Sequence, residues 1–246
     1  MLASIGAGLM TGVGALPIFL TKNISRKMLD TLLGFAAGVM LAATSFSLII
    51  PSIEYGGGNL NSALITGLGI LIGGIFLDFT DKYSPHVHLL DKRQEGVSAS
   101  LKKIWLFIIA ITIHNFPEGL AVGVGFGDNN INNGLVLALG IGLQNLPEGL
   151  AVALALVREN YSSKKAFLIA LLTGLVEPIG GLLGLGLVKI FRPILPFTLA
   201  FAAGAMLFVI SDEIIPETHK GGYEREATYG VIIGFIIMMI LDITLG

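Results

Sequence analysis

The sequence has no cysteine and a single tryptophan, and only 13% of its 246 residues are charged. Without cysteine there is no disulfide, no thiolate zinc site and no cysteine nucleophile. The charged fraction is about half the roughly 25% of an average soluble domain, which argues against a water-soluble fold. Charge of one sign is missing as well. The formal net charge is -2, and no long basic run is present to neutralise a phosphate backbone, so nucleic-acid binding has no support.

What the sequence does contain is apolar surface: 54% of residues are hydrophobic, with 33 glycines, 9 prolines and a mean hydropathy of +0.83. Glycine and proline at that level suit a polytopic helical membrane protein. Crossing the hydrocarbon core takes about 20 mostly apolar residues. Eight such stretches are expected, near 2–21, 31–53, 60–80, 104–127, 132–157, 166–188, 194–216 and 228–245. The first has no basic n-region and no small-residue cleavage site, so it reads as a span and not as a signal peptide. The fold class is therefore all-α, with residues 1–246 as one integral membrane domain.

Lysine and arginine are retained on the cytoplasmic side. Of the basic residues only Lys189 and Arg192 fall in even-numbered links, and the other thirteen fall in odd-numbered ones. This alternation supports eight spans with both termini outside. Residues 81–103 are then a cytoplasmic loop between the third and fourth spans. Its His86 and His88 are either incidental or a weak metal-receiving tract. The acceptor tripeptides at Asn23 and Asn160 fall on the cytoplasmic side and are set aside as glycosylation sites.

Two segments recur. His114-Asn115-Phe116-Pro117-Glu118-Gly119 in the fourth span returns as Gln144-Asn145-Leu146-Pro147-Glu148-Gly149 in the fifth. Phe35-Ala36-Ala37-Gly38-Val39-Met40-Leu41 in the second span returns as Phe201-Ala202-Ala203-Gly204-Ala205-Met206-Leu207 in the seventh. The copies in each pair run in opposite directions. That is the pattern of an inverted repeat, spans one to three against six to eight, around a central pair of spans four and five.

Ionisable groups inside a span cost about 2.5–3.5 kcal/mol each on insertion scales, so a cluster of them needs partners. His114 and Glu118 lie four apart on one helix face, as do Gln144 and Glu148. Asn115 and Asn145 sit one position round. Together these nitrogen and oxygen donors suit a borderline divalent cation such as zinc, ferrous iron or manganese. Pro117 and Pro147 each remove a helix hydrogen bond and free the carbonyls of Ile113 and Leu143. Glu177-Pro178 repeats the device in the sixth span, frees the Gly174 carbonyl and adds a third carboxylate. Three glutamates and a histidine are costly to keep charged together without a cation, so metal binding is expected to displace protons. The competing reading is a kink motif whose glutamate is satisfied by a neighbouring helix. Two copies and a third Glu-Pro weigh against it.

At these residues the sequence resembles the ZIP family of divalent metal transporters, most closely its bacterial GufA-type branch. The resemblance runs over the whole chain. It implies transport of a divalent transition metal into the cytoplasm by alternating access, with zinc first and iron, manganese or cadmium as further candidates. It also implies a homodimer, no resident cofactor and no enzymatic activity. The implied site is binuclear and lies midway through the membrane. One position uses His114, Glu118, Gln144 and Glu148 with the Met40 thioether nearby, and the other uses Asn115, Glu118, Asn145, Glu148 and Glu177. Some relatives carry aspartate at the position of Asn145, and relatives often carry histidine at that of Asp212. Asp212 and Glu213 fall where a cytoplasmic exit is implied, and Ser47 and Glu54 on the outer route. Asp30 and Asp242 near span ends are conducting or interfacial. A membrane-embedded metalloenzyme using a metal-bound water and a metal-selective channel stand as alternatives.

Overall fold

The computed structural model describes residues 1–21, 23–83, 86–87, 94–95, 103–127 and 131–245. The described backbone is helical apart from two-residue strands in the loop at 81–103, where β1 (His86–Val87) pairs antiparallel with β2 (Gln94–Glu95). His88 and most of that loop lie outside the described residues.

In chain order the helices are α1 (Leu2–Ala15), α2 (Arg26–Ala42), α3 (Ile50–Tyr55), α4 (Leu60–Tyr83), α5 (Lys103–Gly125), α6 (Ile131–Arg158), α7 (Ser163–Gly174), α8 (Glu177–Ile190), α9 (Leu195–Val209), α10 (Ile215–Thr218) and α11 (Glu224–Leu245). Several join end to end. Among the described residues, seven continuous segments are long and apolar enough to cross a membrane: 2–19, 26–55, 60–80, 131–158, 163–190, 192–218 and 224–245. Helix α5, 23 residues long with Pro117 inside it, lies between the third and fourth of these. The chain is a multi-pass membrane protein.

Turn chemistry sets the short links. Ser25 caps α2 by accepting from the Met28 amide (3.2 Å), and Ser162 caps α7 by accepting from Lys165 (3.4 Å). Both belong to the tripeptides set aside above, so their hydroxyls have a structural use. Helix α6 ends with Asn160 in the left-handed region (φ 65°), and Tyr161 N–H closes back on the Leu156 carbonyl at 3.1 Å. That is an asparagine-terminated C-cap. At the start of α4, Asn59 and Ser62 exchange reciprocal side-chain bonds of 2.9 and 3.0 Å.

The prolines act in three ways. Pro117 and Pro147 lie within unbroken α-helices. Pro51 and Pro216 each follow a π-helical stretch, Ala43–Ile49 and Ile210–Ile214. The wider turn relieves the clash between the proline ring and the carbonyl four residues back. Pro178 divides its span outright: α7 stops at Gly174, two residues turn, and α8 begins at Glu177.

Helix α11 packs along α2, α1 along α6, α4 along α9 and α5 along α8, with smaller contacts of α2 on α6 and α5 on α9. Segments 26–55, 131–158 and 192–218 are the most enclosed, whereas α4 and α11 are peripheral. Their outward faces carry Leu64, Leu68, Phe79, Ile233 and Ile240, as a surface against lipid requires.

Candidate metal centre

The periodicity of α5 puts His114 and Glu118 on one face, and that of α6 does the same for Gln144 and Glu148. Helix α8 presents Glu177 in its first turn, where a carboxylate also meets the positive end of the helix dipole. Asn115, Gln144, Asn145 and Glu177 have no exposed surface, and His114, Glu118 and Glu148 are buried nearly as completely. Close backbone approach makes this convergence possible. A Cβ at Gly119 would collide with the backbone of Glu177, and one at Gly149 with the backbone of Thr11. Glycine at those two positions lets α8 close on α5 and α1 close on α6.

Burying so many polar groups is tolerable only with partners, and some are present. Gln144 Nε2 donates to Glu118 Oε1 at 2.6 Å. Asn145 Nδ2 donates to Glu177 Oε1 at 2.5 Å and to the Ala7 carbonyl at 2.9 Å. His114 Nε2 lies 2.7 Å from Glu213 Oε1, in the π-helical stretch after α9. The adjacent amides of α6 therefore reach α1, α5 and α8 at one level, and the imidazole of α5 reaches the segment after α9.

Other demands stay unmet. Asn115 Oδ1, Glu118 Oε2, Gln144 Oε1, Asn145 Oδ1, Glu148 Oε2 and Glu177 Oε2 are buried without a hydrogen-bond partner. Native interiors rarely leave such atoms unpaired, and each calls for a reason. An array of inward-facing oxygens beside an imidazole is the donor set of a divalent cation that accepts nitrogen and oxygen ligands. Among the described residues, no three His, Asp or Glu side chains already stand as a closed cage. Three of the six oxygen-bearing residues are amides, and two of the three carboxylates, Glu118 and Glu177, are engaged with them.

The remaining residues singled out in the sequence fall in several places. Met40 is fully buried in the apolar cluster that includes Leu120 and Ala121. Ser47 donates to Asp242, so the second segment and α11 are joined there. Asp30 is buried and bridged by Arg26, with contacts of 2.5 and 2.9 Å, and Arg26 also donates to the Glu217 carbonyl at 3.2 Å. That environment gives Asp30 a structural partner. Glu54 and Asp212 are exposed. The pairing of Glu213 with His114 was not readable from sequence, because regular α-helical spacing does not describe a π-helical turn. Pro216, three residues on, is a signal for the wider turn but carries nothing about its partner.

Comparison with known proteins gives the family. The family model described as ZIP Zinc transporter matches residues 88–242, from the loop before α5 into α11. The chain is 46% identical to the zinc transporter GufA of Myxococcus xanthus, over all of this chain and 98% of that protein. It is 42% identical to the zinc transporter ZIPB of Bordetella bronchiseptica, over 96% and 78% of the two chains. With the human zinc transporter ZIP11 it shares 34% identity over 96% and 94%.

Proposed function

The chain belongs to the ZIP zinc transporter family, and from that premise we propose that it carries zinc across the membrane through the buried centre between α5, α6 and α8. One observation carries the proposal: the set of buried oxygens of Asn115, Glu118, Gln144, Asn145, Glu148 and Glu177 that lack hydrogen-bond partners. His114, Glu118, Gln144 and Glu148, with Met40 nearby, form one metal position. Asn115, Asn145 and Glu177 form a second with the same two glutamates bridging. Entry of the cation exchanges the Gln144 and Asn145 amide donors on Glu118 and Glu177 for metal–oxygen bonds. Zinc is the cargo, and the protein acts as a carrier and not as an enzyme.

The architecture proposed is eight spans in an inverted repeat, with α5 as the fourth span and residues 81–103 as a cytoplasmic loop. Helix packing supports it. Exchanging spans one, two, three and four for six, seven, eight and five carries the α2–α11 pair onto α9–α4 and the α1–α6 pair onto α8–α5, each a principal contact. Gly119 against Glu177 and Gly149 against Thr11 are equivalent under the same exchange. Two near-equivalent packings are what alternating access needs. In this reading the group containing α1, α5, α6, α7 and α8 slides against α2, α4, α9 and α11, and His114–Glu213 crosses the boundary between them. The basic residues place both termini outside a plasma membrane, with transport towards the cytoplasm. The family resemblance carries the homodimer.

Zinc uptake into proteoliposomes tests the proposal. The intact protein is expected to give saturable uptake, and Glu118→Ala and Glu148→Ala to reduce it to the level of protein-free vesicles. Flux in these variants equal to that of the intact protein would remove the carboxylates from the pathway.

A further inference from the structure

A cavity of about 350 Å³ lies between α4, α5 and the turn joining α7 to α8. Its walls include Leu77 and Thr80 of α4, Ile109, Thr112 and Pro117 of α5, and Val176. Among the described residues, no charged side chain lines it. The protons of its two hydroxyls are used within their own helices, since Thr80 Oγ1 donates to the Phe76 carbonyl at 2.8 Å and Thr112 Oγ1 to the Ile108 carbonyl at 2.7 Å. A space so lined offers a cation no charge and a water no free donor, and apolar cavities stay dry. The volume falls in the lower part of the range for ligand pockets, roughly 300–1,000 Å³.

Two features indicate what fills it. Phe76, on its wall, and Ile75 and Phe79 beside it on the same membrane-crossing helix are exposed, so the cavity is continuous with the lipid-facing surface. Lateral access at that depth is from hydrocarbon alone. The cavity also lies directly behind the buried carboxylates: Pro117 precedes Glu118 in α5, and Val176, in the turn between α7 and α8, precedes Glu177.

We propose that this cavity is a binding site for a single acyl chain of a membrane lipid, inserted laterally behind the backbone that carries Glu118 and Glu177. The chain packs against α4 on one side and α5 and Val176 on the other. If the two helix groups slide as proposed above, it lies on their boundary; that consequence rests on the carrier reading, whereas the binding itself does not.

The test uses the full-length protein in dioleoylphosphatidylcholine vesicles doped with phosphatidylcholine bearing a diazirine in its acyl chain, irradiated and then mapped by peptide mass spectrometry. Adducts are expected on Ile109, Ile113 and Val176, which line the cavity and are only partly exposed. Thr112→Trp or Thr80→Trp, either of which fills the cavity, should abolish them while labelling of outward-facing Leu64 and Leu68 persists. Adducts confined to outward-facing residues would mean surrounding bulk lipid only and would overturn the proposal. So would labelling of Ile109, Ile113 and Val176 that survives both tryptophan variants. The result does not depend on zinc flux, so failure here leaves the carrier reading standing, and the reverse also holds.

Discussion

At the scale of single residues, the pairing of amides with carboxylates is the controlling feature. Gln144 and Asn145 each hold one oxygen of a buried glutamate and leave the other without a partner. Glu118→Gln keeps the size of the side chain and removes its charge. Its zinc affinity, measured by titration calorimetry in detergent, is expected to fall by more than about tenfold, equivalent to roughly 1.4 kcal/mol. A second prediction concerns Arg26. Its removal leaves the Asp30 carboxylate buried without the partner it has at 2.5 Å, and an uncompensated buried charge costs about 3 kcal/mol. Arg26→Ala should therefore lower the thermal unfolding temperature markedly, and Arg26→Ala combined with Asp30→Asn should recover most of the loss. The repeated Asn-x-Pro-Glu-Gly segments made the residues around Glu118 and Glu148 legible in the sequence, because charge is so scarce that a doubled cluster stands out. The roles of Asp30 and Glu213 were not legible. Glu213 meets His114 only through tertiary packing, and Arg26, the i,i+4 partner of Asp30, is itself held by the distant Glu217 carbonyl.

At the scale of helices, apolar run length located the spans well: the stretch expected near 60–80 is α4, and that near 132–157 is α6. What run length could not distinguish is what a proline does inside a run. Pro147 leaves its helix continuous, Pro51 and Pro216 follow π-helical turns, and Pro178 divides a span in two. The outcome depends on neighbours, and a single chain's periodicity does not contain them. Glycine at helix crossings gives a direct test. Gly149→Ala places a methyl group against the Thr11 backbone, whereas Gly67 on the outer face of α4 has open space around it. The first should destabilise by about 1–3 kcal/mol. Gly67→Ala should be neutral or slightly stabilising, as a helix-interior glycine replaced by alanine usually is. Thermal unfolding of the two variants in the same detergent compares them.

At the scale of the whole molecule, the account is a topology and a motion. The absence of cysteine makes the topology easy to test, since any introduced cysteine is the sole thiol. Leu60→Cys at the start of α4 should react with a membrane-impermeant maleimide added to intact cells. Lys164→Cys in α7 should react only after permeabilisation. Both positions are exposed, and the opposite pattern would invert the orientation. The alternation of basic links suggested this topology and the repeats suggested the symmetry. The sequence could not say which helices meet, and the packing of α5 on α8 and α1 on α6 is what brings the buried donors together.

The central claim is that the donors on α5, α6 and α8 carry zinc through the membrane. The most direct test is initial-rate zinc uptake into proteoliposomes containing equal amounts of the intact protein, Glu118→Ala or Glu148→Ala. The account predicts saturable uptake by the intact protein and background flux for both variants; equal, saturable uptake by all three would contradict it.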